Sequence, residues 1–318
     1  MTTPEGPSPK VAVVGAGLMG AGIAEVFVAA GHEVGLYDPS AQALASAPAR
    51  VRAGLELLDP ERDSGEALRR LALHTDLAIV VEGADLVIEA GPERLAVKQA
   101  IFAALDPLAS AGAVLASNTS AIPIREIARD CRARERVIGT HFWNPPALVP
   151  LVEVVQSEAS DPALVQWTIQ LLDQAGMKPV HVRTDTPGFV GNRMQHALKR
   201  EAIALVAEGV CDAETVDIVA RYGFGARLGI LGPLEQSDLV GLELLLDIQT
   251  TLMPALDRTA VPHPYLVEKV RRGETGAAVG RGFREWTPEQ AAARQAEVTR
   301  ELVAAARRRR GLNKGGRR

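Results

Sequence analysis

The stretch VAVVGAGLMGAGIAEVFVAAGHEVGLYD, residues 11–38, limits what this chain can fold into more than any other. It reads as an apolar strand, a Gly15-Ala16-Gly17-Leu18-Met19-Gly20 turn, an alanine-rich helix and a second strand ending at Asp38. Gly15 makes the tight turn, Gly17 leaves room for a pyrophosphate to approach the backbone, and Gly20 lets helix and strand pack closely. The helix N-terminus, with Leu18 and Met19 in the turn, then faces the anion with free N–H groups and a positive dipole end. Asp38 lies 18 positions beyond the last glycine, where a carboxylate accepts hydrogen bonds from ribose hydroxyls and repels a 2'-phosphate. The expectation is an NAD site. The bland alternative, a glycine turn beside an incidental Asp38, does not explain why strand, turn, helix and acidic residue occur together.

From Lys10 to about Val182, short β-branched runs alternate with helical segments, which predicts an α/β fold built from βαβ units around a parallel sheet. The strand runs are KVAVVG, EVGLYD, LALHT, ADLVIEA, GAVLAS, RVIGTHF, LVEVV and KPVHVR. Between them, RLAVKQAIFAALDPLAS places Leu95, Ile101, Phe102, Leu105 and Leu108 near a helical period. After TDTPGF the strand runs cease. The predicted organisation is a Rossmann-type dinucleotide-binding domain over 1–184, an all-α domain over 185–306 and a basic tail over 307–318.

Two cysteines, Cys131 and Cys211, with no CxxC spacing, argue against a disulfide framework or a metal site and for the cytosol. No apolar run is long enough to span a bilayer, so a membrane role is not expected. Arg307 to Arg310, Lys314, Arg317 and Arg318 concentrate positive charge at one end of a chain of net charge -4. This tail reads as a solvated, frayed extension with no nucleic-acid partner.

A second constellation lies in GTHFWNPPALVPLVEVV, residues 139–155. Oxidising an alcohol with NAD needs a base for the hydroxyl proton, and histidine titrates in the right range. His141 ends a strand, at the carboxyl edge of the sheet where ligands bind. Glu153 sits in an otherwise apolar strand, and a buried carboxylate needs a partner. The proline turn between them folds Glu153 back against His141, where it fixes the tautomer and stabilises the imidazolium. Read alone, each is an ordinary core or edge residue; the dinucleotide turn tips the balance toward a catalytic pair. Ser117, in LASNTSAIPI, and Asn192, in TPGFVGNR, are polar groups able to hold a substrate oxygen, although turn and cap chemistry accounts for both equally well.

These motifs, with ADLVIEAGPERLAVKQAIF, EAIALVAEGV and GPLEQSDLVGLE, follow one another as in the 3-hydroxyacyl-CoA dehydrogenase family, which the chain resembles from about Lys10 to Trp286. The resemblance implies interconversion of 3-hydroxyacyl-CoA and 3-oxoacyl-CoA, a reaction of fatty acid metabolism in which 3-hydroxybutyryl-CoA is the short-chain case. It implies that His141 is the base, that Glu153 orients it, and that Ser117 and Asn192 lie near the reacting oxygen. It also implies that Glu93 and Lys98 lie by the cofactor, that Asn144 contacts substrate, and that the helical half supplies a homodimer interface. Three segments depart from the family pattern. The excursion at 39–74 contains no lysine, only Arg50, Arg52, Arg62, Arg69 and Arg70; YGFGARLGILGPLEQSDLVGL is lengthened; and VGRGFREW replaces a tyrosine-bearing motif. The last two resemble a side branch acting on free hydroxy acids or hydroxymethyl aromatics, including L-gulonate, carnitine and pyridine-derived acids, with Arg227 as a carboxylate anchor.

The CoA thioester is the first choice of substrate, and a free hydroxy acid is the close alternative. A β-hydroxyacid dehydrogenase or imine reductase reading is weakened because Lys199 is the only lysine between positions 179 and 268 and lacks a glycine-rich approach. A non-catalytic NAD-binding protein, like relatives recruited as lens crystallins, has no use for His141, Glu153, Ser117 and Asn192 together.

Overall fold

The computed structural model describes residues 8–312. Within them the chain forms two compact units, Met1–Asn192 with Val298–Arg318, and Arg193–Glu297. The first unit opens with β1 (Val11–Val14), α1 (Leu18–Ala29), β2 (Val34–Tyr37), α2 (Ala41–Leu58), α3 (Ser64–Leu68) and β3 (Leu71–His74). It continues through α4 (Leu77–Val81), β4 (Leu86–Glu89), α5 (Leu95–Leu108), β5 (Val114–Ser117), α6 (Ile124–Ile127) and β6 (Val137–Phe142). Then come β7 (Leu151–Val155), α7 (Pro162–Gln174) and β8 (Lys178–Val182).

All eight strands lie in one sheet, in the order β3-β2-β1-β4-β5-β6-β7-β8. Alternate residues of β1 face opposite layers: Val11 and Val13 join α1, α2 and α7 in one core, and Ala12 and Val14 join α4 and α5 in the other. The sheet is not wholly parallel as expected, because β7 runs antiparallel to β6. The connection from Trp143 to Pro150 holds no helix, and so short a link cannot carry the chain back for a parallel pairing. Strand β8 then pairs parallel with β7 after the crossover helix α7.

Helix α5 also differs from its predicted stripe. Leu108 is exposed, and Lys98 is buried with Phe102 and Leu105 on the inward face. In α2 the inward face is Leu44, Ala47, Val51, Leu55 and Leu58, and Ser40 caps the start by accepting a bond from Ala43 N–H. Gly22 and Gly54 let α1, α2 and the 143–150 connection approach closely: a Cβ would lie 2.8 Å from Pro146 at the first and 2.0 Å from the Glu25 carboxylate at the second.

The sequence places a boundary near Asp185, whereas the units part after Asn192. The intervening segment belongs to the sheet, because Phe189 is fully buried there and Val190 and Gly191 donate backbone bonds to Glu153. The second unit holds most of α8 (Gly191–Ala207) with α9 (Ala213–Tyr222), α10 (Gly225–Leu228), α11 (Pro233–Val240), α12 (Leu242–Leu252) and α13 (Pro264–Arg271). No residue of α9 to α13 is buried.

The final helix, α14 (Pro288–Arg309), returns to the first unit from Val298 onward. Here the expected frayed tail is corrected: Arg307 and Arg309 are helical, and residues 313–318 lie outside the described residues. Val303 and Ala306 are buried against Leu58 and Leu148. Arg307 donates to the carbonyls of Leu57 and Leu58 at 2.9 and 3.0 Å, satisfying acceptors that the end of α2 leaves open. Arg309 and Arg310 donate to Leu148 and Ala147 carbonyls, each at 3.4 Å. An arginine cluster beside helix-end carbonyls therefore docks rather than frays.

Arg310 shares a small cavity with Glu25 and Arg62. Burial raises the Glu25 carboxyl from 4.5 to about 7, against the pull of the Arg310 charge, and its Oε1 has no hydrogen-bond partner. A raised carboxyl favours the folded state at low pH, and that contribution is lost as pH rises from 4.5 through about 7. Glu25→Gln removes the loss, so the variant should gain stability relative to the parent between pH 5 and pH 8, by at most about 3 kcal/mol. Urea midpoints at the two pH values check this; an equal difference at both would show that Glu25 ionises normally.

Candidate active site

The glycine turn has the backbone geometry its spacing predicts. Gly15 has φ 111°, donates its N–H to Tyr37 O at 2.7 Å and passes so close to Ala90 O that a Cβ would sit 2.8 Å away. At Gly20 a Cβ would fall 1.7 Å from Gly15 O. Gly17 is the opposite case, with open space where its side chain would be and no side-chain cap on α1. An uncapped helix start above bare backbone is what a pyrophosphate requires. Leu18 is exposed beside it, and Met19 turns partly into the core.

Asp38 accepts from Ala16 N–H at 2.8 Å and Ser40 N–H at 2.9 Å, which fixes the carboxylate at the mouth of the turn. Each oxygen keeps a lone pair for a ribose hydroxyl. Arg50, one of the arginines of the lysine-free excursion, reaches back to this turn and donates to Ala16 O at 2.6 Å, with further bonds to Ala43 O and Ser46 Oγ.

Strands β4 and β5 hold a buried network that sequence reasoning missed. Glu89, fully buried at the end of β4, accepts from Lys98 Nζ at 2.9 and 3.0 Å, from Ser117 Oγ at 2.7 Å and from Gly91 N–H at 2.6 Å. Lys98 also lies 3.4 Å from Glu93. Glu93 in turn accepts from Thr119 Oγ1, Ser120 N–H and Ala121 N–H at 2.7, 2.9 and 3.1 Å. Burial pushes the Glu93 carboxyl up, but these bonds and the Lys98 charge outweigh it and hold it below the usual carboxylate value. Lys98 and Ser117 are therefore locked on Glu89. The signal was present, since ADLVIEA hides a glutamate in an apolar strand just as LVEVV does.

Antiparallel pairing sets His141 directly opposite Glu153. His141 Nδ1 lies 2.8 Å from Glu153 Oε2, and Glu153 Oε1 accepts from Val190 and Gly191 N–H at 2.9 and 3.0 Å. Burial opposes ionisation of Glu153, yet the His141 bond and the two backbone N–H groups hold its carboxyl below the usual range. With Nδ1–H donating to a carboxylate, Nε2 carries the free lone pair. The imidazole is packed by Trp143 and Phe189, with ring centroids at 5.4 and 5.8 Å. Gly191 leaves the space that Trp143 fills, because a Cβ there would come within 2.4 Å of the indole.

Other predicted positions distribute unevenly. Asn192 donates to Ser120 O at 2.9 Å and so reaches the segment that follows Ser117. Asn118, next to Ser117, anchors the end of β6 by accepting from Phe142 N–H at 2.8 Å. Asn144 is exposed in the turn after Trp143. Arg227 is exposed on α10 and belongs to the second unit, apart from the unit that holds His141.

A helix start left open over unencumbered glycine, with a fixed acidic residue at the end of the next strand, makes this an NAD-dependent oxidoreductase. Residues 10–186 match the 3-hydroxyacyl-CoA dehydrogenase NAD binding domain and residues 188–286 match the C-terminal domain, so the chain belongs to the 3-hydroxyacyl-CoA dehydrogenase family. It is 35% identical to a 5-formyl-3-hydroxy-2-methylpyridine 4-carboxylate 5-dehydrogenase of Mesorhizobium japonicum, over 94% of this chain and 97% of the relative. It is 38% identical to a 3-hydroxybutyryl-CoA dehydrogenase of Mycobacterium tuberculosis, over 86% of this chain and 97% of the relative. Among solved structures, an NAD+ dependent 5-formyl-3-hydroxy-2-methylpyridine 4-carboxylic acid 5-dehydrogenase superposes with TM-score 0.87 at 34% identity, covering 95% of this chain and 98% of that one.

Removing one partner of the buried pair should be costly. Lys98→Met leaves the buried Glu89 without its cation and is expected to destabilise the fold by about 3–5 kcal/mol in urea denaturation. Adding Glu89→Gln to Lys98→Met should recover part of that loss; additive costs would mean that the two residues do not act as a pair.

Proposed function

We propose that this enzyme oxidises the alcohol of a compact free hydroxy acid, or a hydroxymethyl group on an aromatic carboxylate, with His141 as general base. The observation that carries the catalytic part is the His141–Glu153 bond, in which the carboxylate is itself held by two backbone N–H groups. His141 Nε2 takes the hydroxyl proton while Nδ1–H stays on Glu153, which stabilises the imidazolium without leaving its place. NAD, when bound, accepts the hydride from the same carbon. Asn192 has a second Nδ2 proton for the reacting oxygen after bonding Ser120 O. Ser117 acts through Glu89, fixing the end of β4 beneath the cofactor. The fixed Asp38 carboxylate favours NAD over NADP.

For the substrate, the lysine-free excursion supports a free acid. Arg50, Arg52, Arg62 and Arg70 all engage partners within the first unit, at Ala16 O, Ser64 Oγ, Ala29 O and the Glu33 and Glu66 carboxylates. That leaves few cations on α2 and α3 for a nucleotide phosphate. A second reading, a 3-hydroxyacyl-CoA substrate, is favoured by the 38% identity to the mycobacterial enzyme.

The second unit supports a homodimer. Helices α9 to α12 expose Ile218, Tyr222, Leu234, Leu242, Leu246 and further apolar side chains while burying none. A helical unit with so little interior of its own gains stability by covering that surface with a second copy. Light scattering on the purified protein should give twice the chain mass.

His141→Gln should lower kcat by about 10²- to 10⁴-fold while leaving NAD affinity unchanged. NADH oxidation with acetoacetyl-CoA, acetoacetate and a panel of free oxo acids and aromatic aldehydes assigns the substrate class. Turnover of the free compounds alone is the expected result, and efficient turnover of the thioester alone would favour the second reading. Normal kcat in His141→Gln would remove the histidine from the chemistry.

A further inference from the structure

We propose that α14 is a specificity element, a wall that closes the groove beside the dinucleotide turn against a substrate carrying a CoA-sized tail. The inference rests on the free-acid reading above and names the part of the chain responsible for it.

The groove lies within the first unit, between α1 and α2, with a volume of about 290 Å³. One end is marked by Leu18 of the glycine turn and by Asn144 and Pro145, which follow directly on His141 and Trp143. Leu57 of α2 and Thr299 of α14 border it farther along. Most of its lining is apolar, as suits a chain or ring rather than a polyphosphate. Its volume falls at the bottom of the range for small-ligand sites, which suits a compact acid and not a nucleotide with a long thiol arm.

Helix α14 is held firmly enough to act as a wall. Ala306 is fully buried, Val303 nearly so, and Arg307, Arg309 and Arg310 donate to four backbone carbonyls. Those carbonyls belong to the end of α2 and to the 147–148 segment, the two sides of the same groove. The arginines thus fasten the groove's borders to one another through α14.

The match to the family's C-terminal domain ends at residue 286, before α14 begins, so the helix is added beyond the part that matches the family model.

The test is calorimetric titration of free CoA onto the full-length parent, the R307A/R309A/R310A variant and Ala306→Glu. The last places a charge at a fully buried methyl and expels the helix even if the arginine variant stays docked. Tryptic cleavage within α14 reports detachment, and unchanged NAD affinity shows that the nucleotide site is intact. We expect the detached variants to bind CoA at least about tenfold more tightly than the parent, a difference of about 1.4 kcal/mol. Equal CoA affinity in parent and detached variants would overturn the proposal. Efficient reduction of acetoacetyl-CoA by the parent would instead overturn the free-acid reading, so the two failures are distinguishable.

Discussion

Everything around His141 in the first unit depends on one fully buried carboxylate, Glu153. A charge there is tolerable only if every oxygen is engaged, and three donors from two parts of the chain meet that need. The antiparallel pairing of β6 and β7 supplies the histidine, and the start of α8 supplies the two N–H groups. The same carboxylate therefore fixes the imidazole, the tautomer and the entry into the helical segment. Phe189 illustrates the constraint: it is fully buried with φ 51°, a conformation that a side chain rarely adopts, in the residue just before the donors.

Glu89 repeats the arrangement three strands away. It too is a glutamate in an apolar strand, satisfied by a lysine, a serine hydroxyl and a backbone N–H. One carboxylate orients an imidazole; the other is paired with Lys98 and ties β4, β5 and α5 together. The difference lies in the partner, an ammonium that only donates in one case and in the other an imidazole, whose second nitrogen stays available as an acceptor.

The sequence was most legible where chemistry and geometry coincide. The three glycines could be given separate tasks because each task needs a missing Cβ, and Glu153 could be set against His141 because a proline turn folds one strand back on the other, although the antiparallel direction that so short a turn imposes went unread. What stayed hidden was long-range pairing. Lys98 falls on the inward stripe of α5, but its partner Glu89 is on another element, so periodicity alone could not distinguish a buried ion pair from a cofactor contact. The arginines near the end of the chain looked like a solvated run because the carbonyls they bind, at Leu57, Leu58, Ala147 and Leu148, are invisible in a string of letters.

That return of α14 makes the first unit discontinuous, with the helical unit inserted in the middle of it. A nascent chain can form the sheet early, but the surface near Leu58 and Leu148 stays bare until the whole second unit has been synthesised. The enzyme therefore passes through a stage in which its nucleotide-binding half is folded and one flank is still open. During that interval the apolar edge at Leu58 and Leu148 waits for Val303 and Ala306 to cover it.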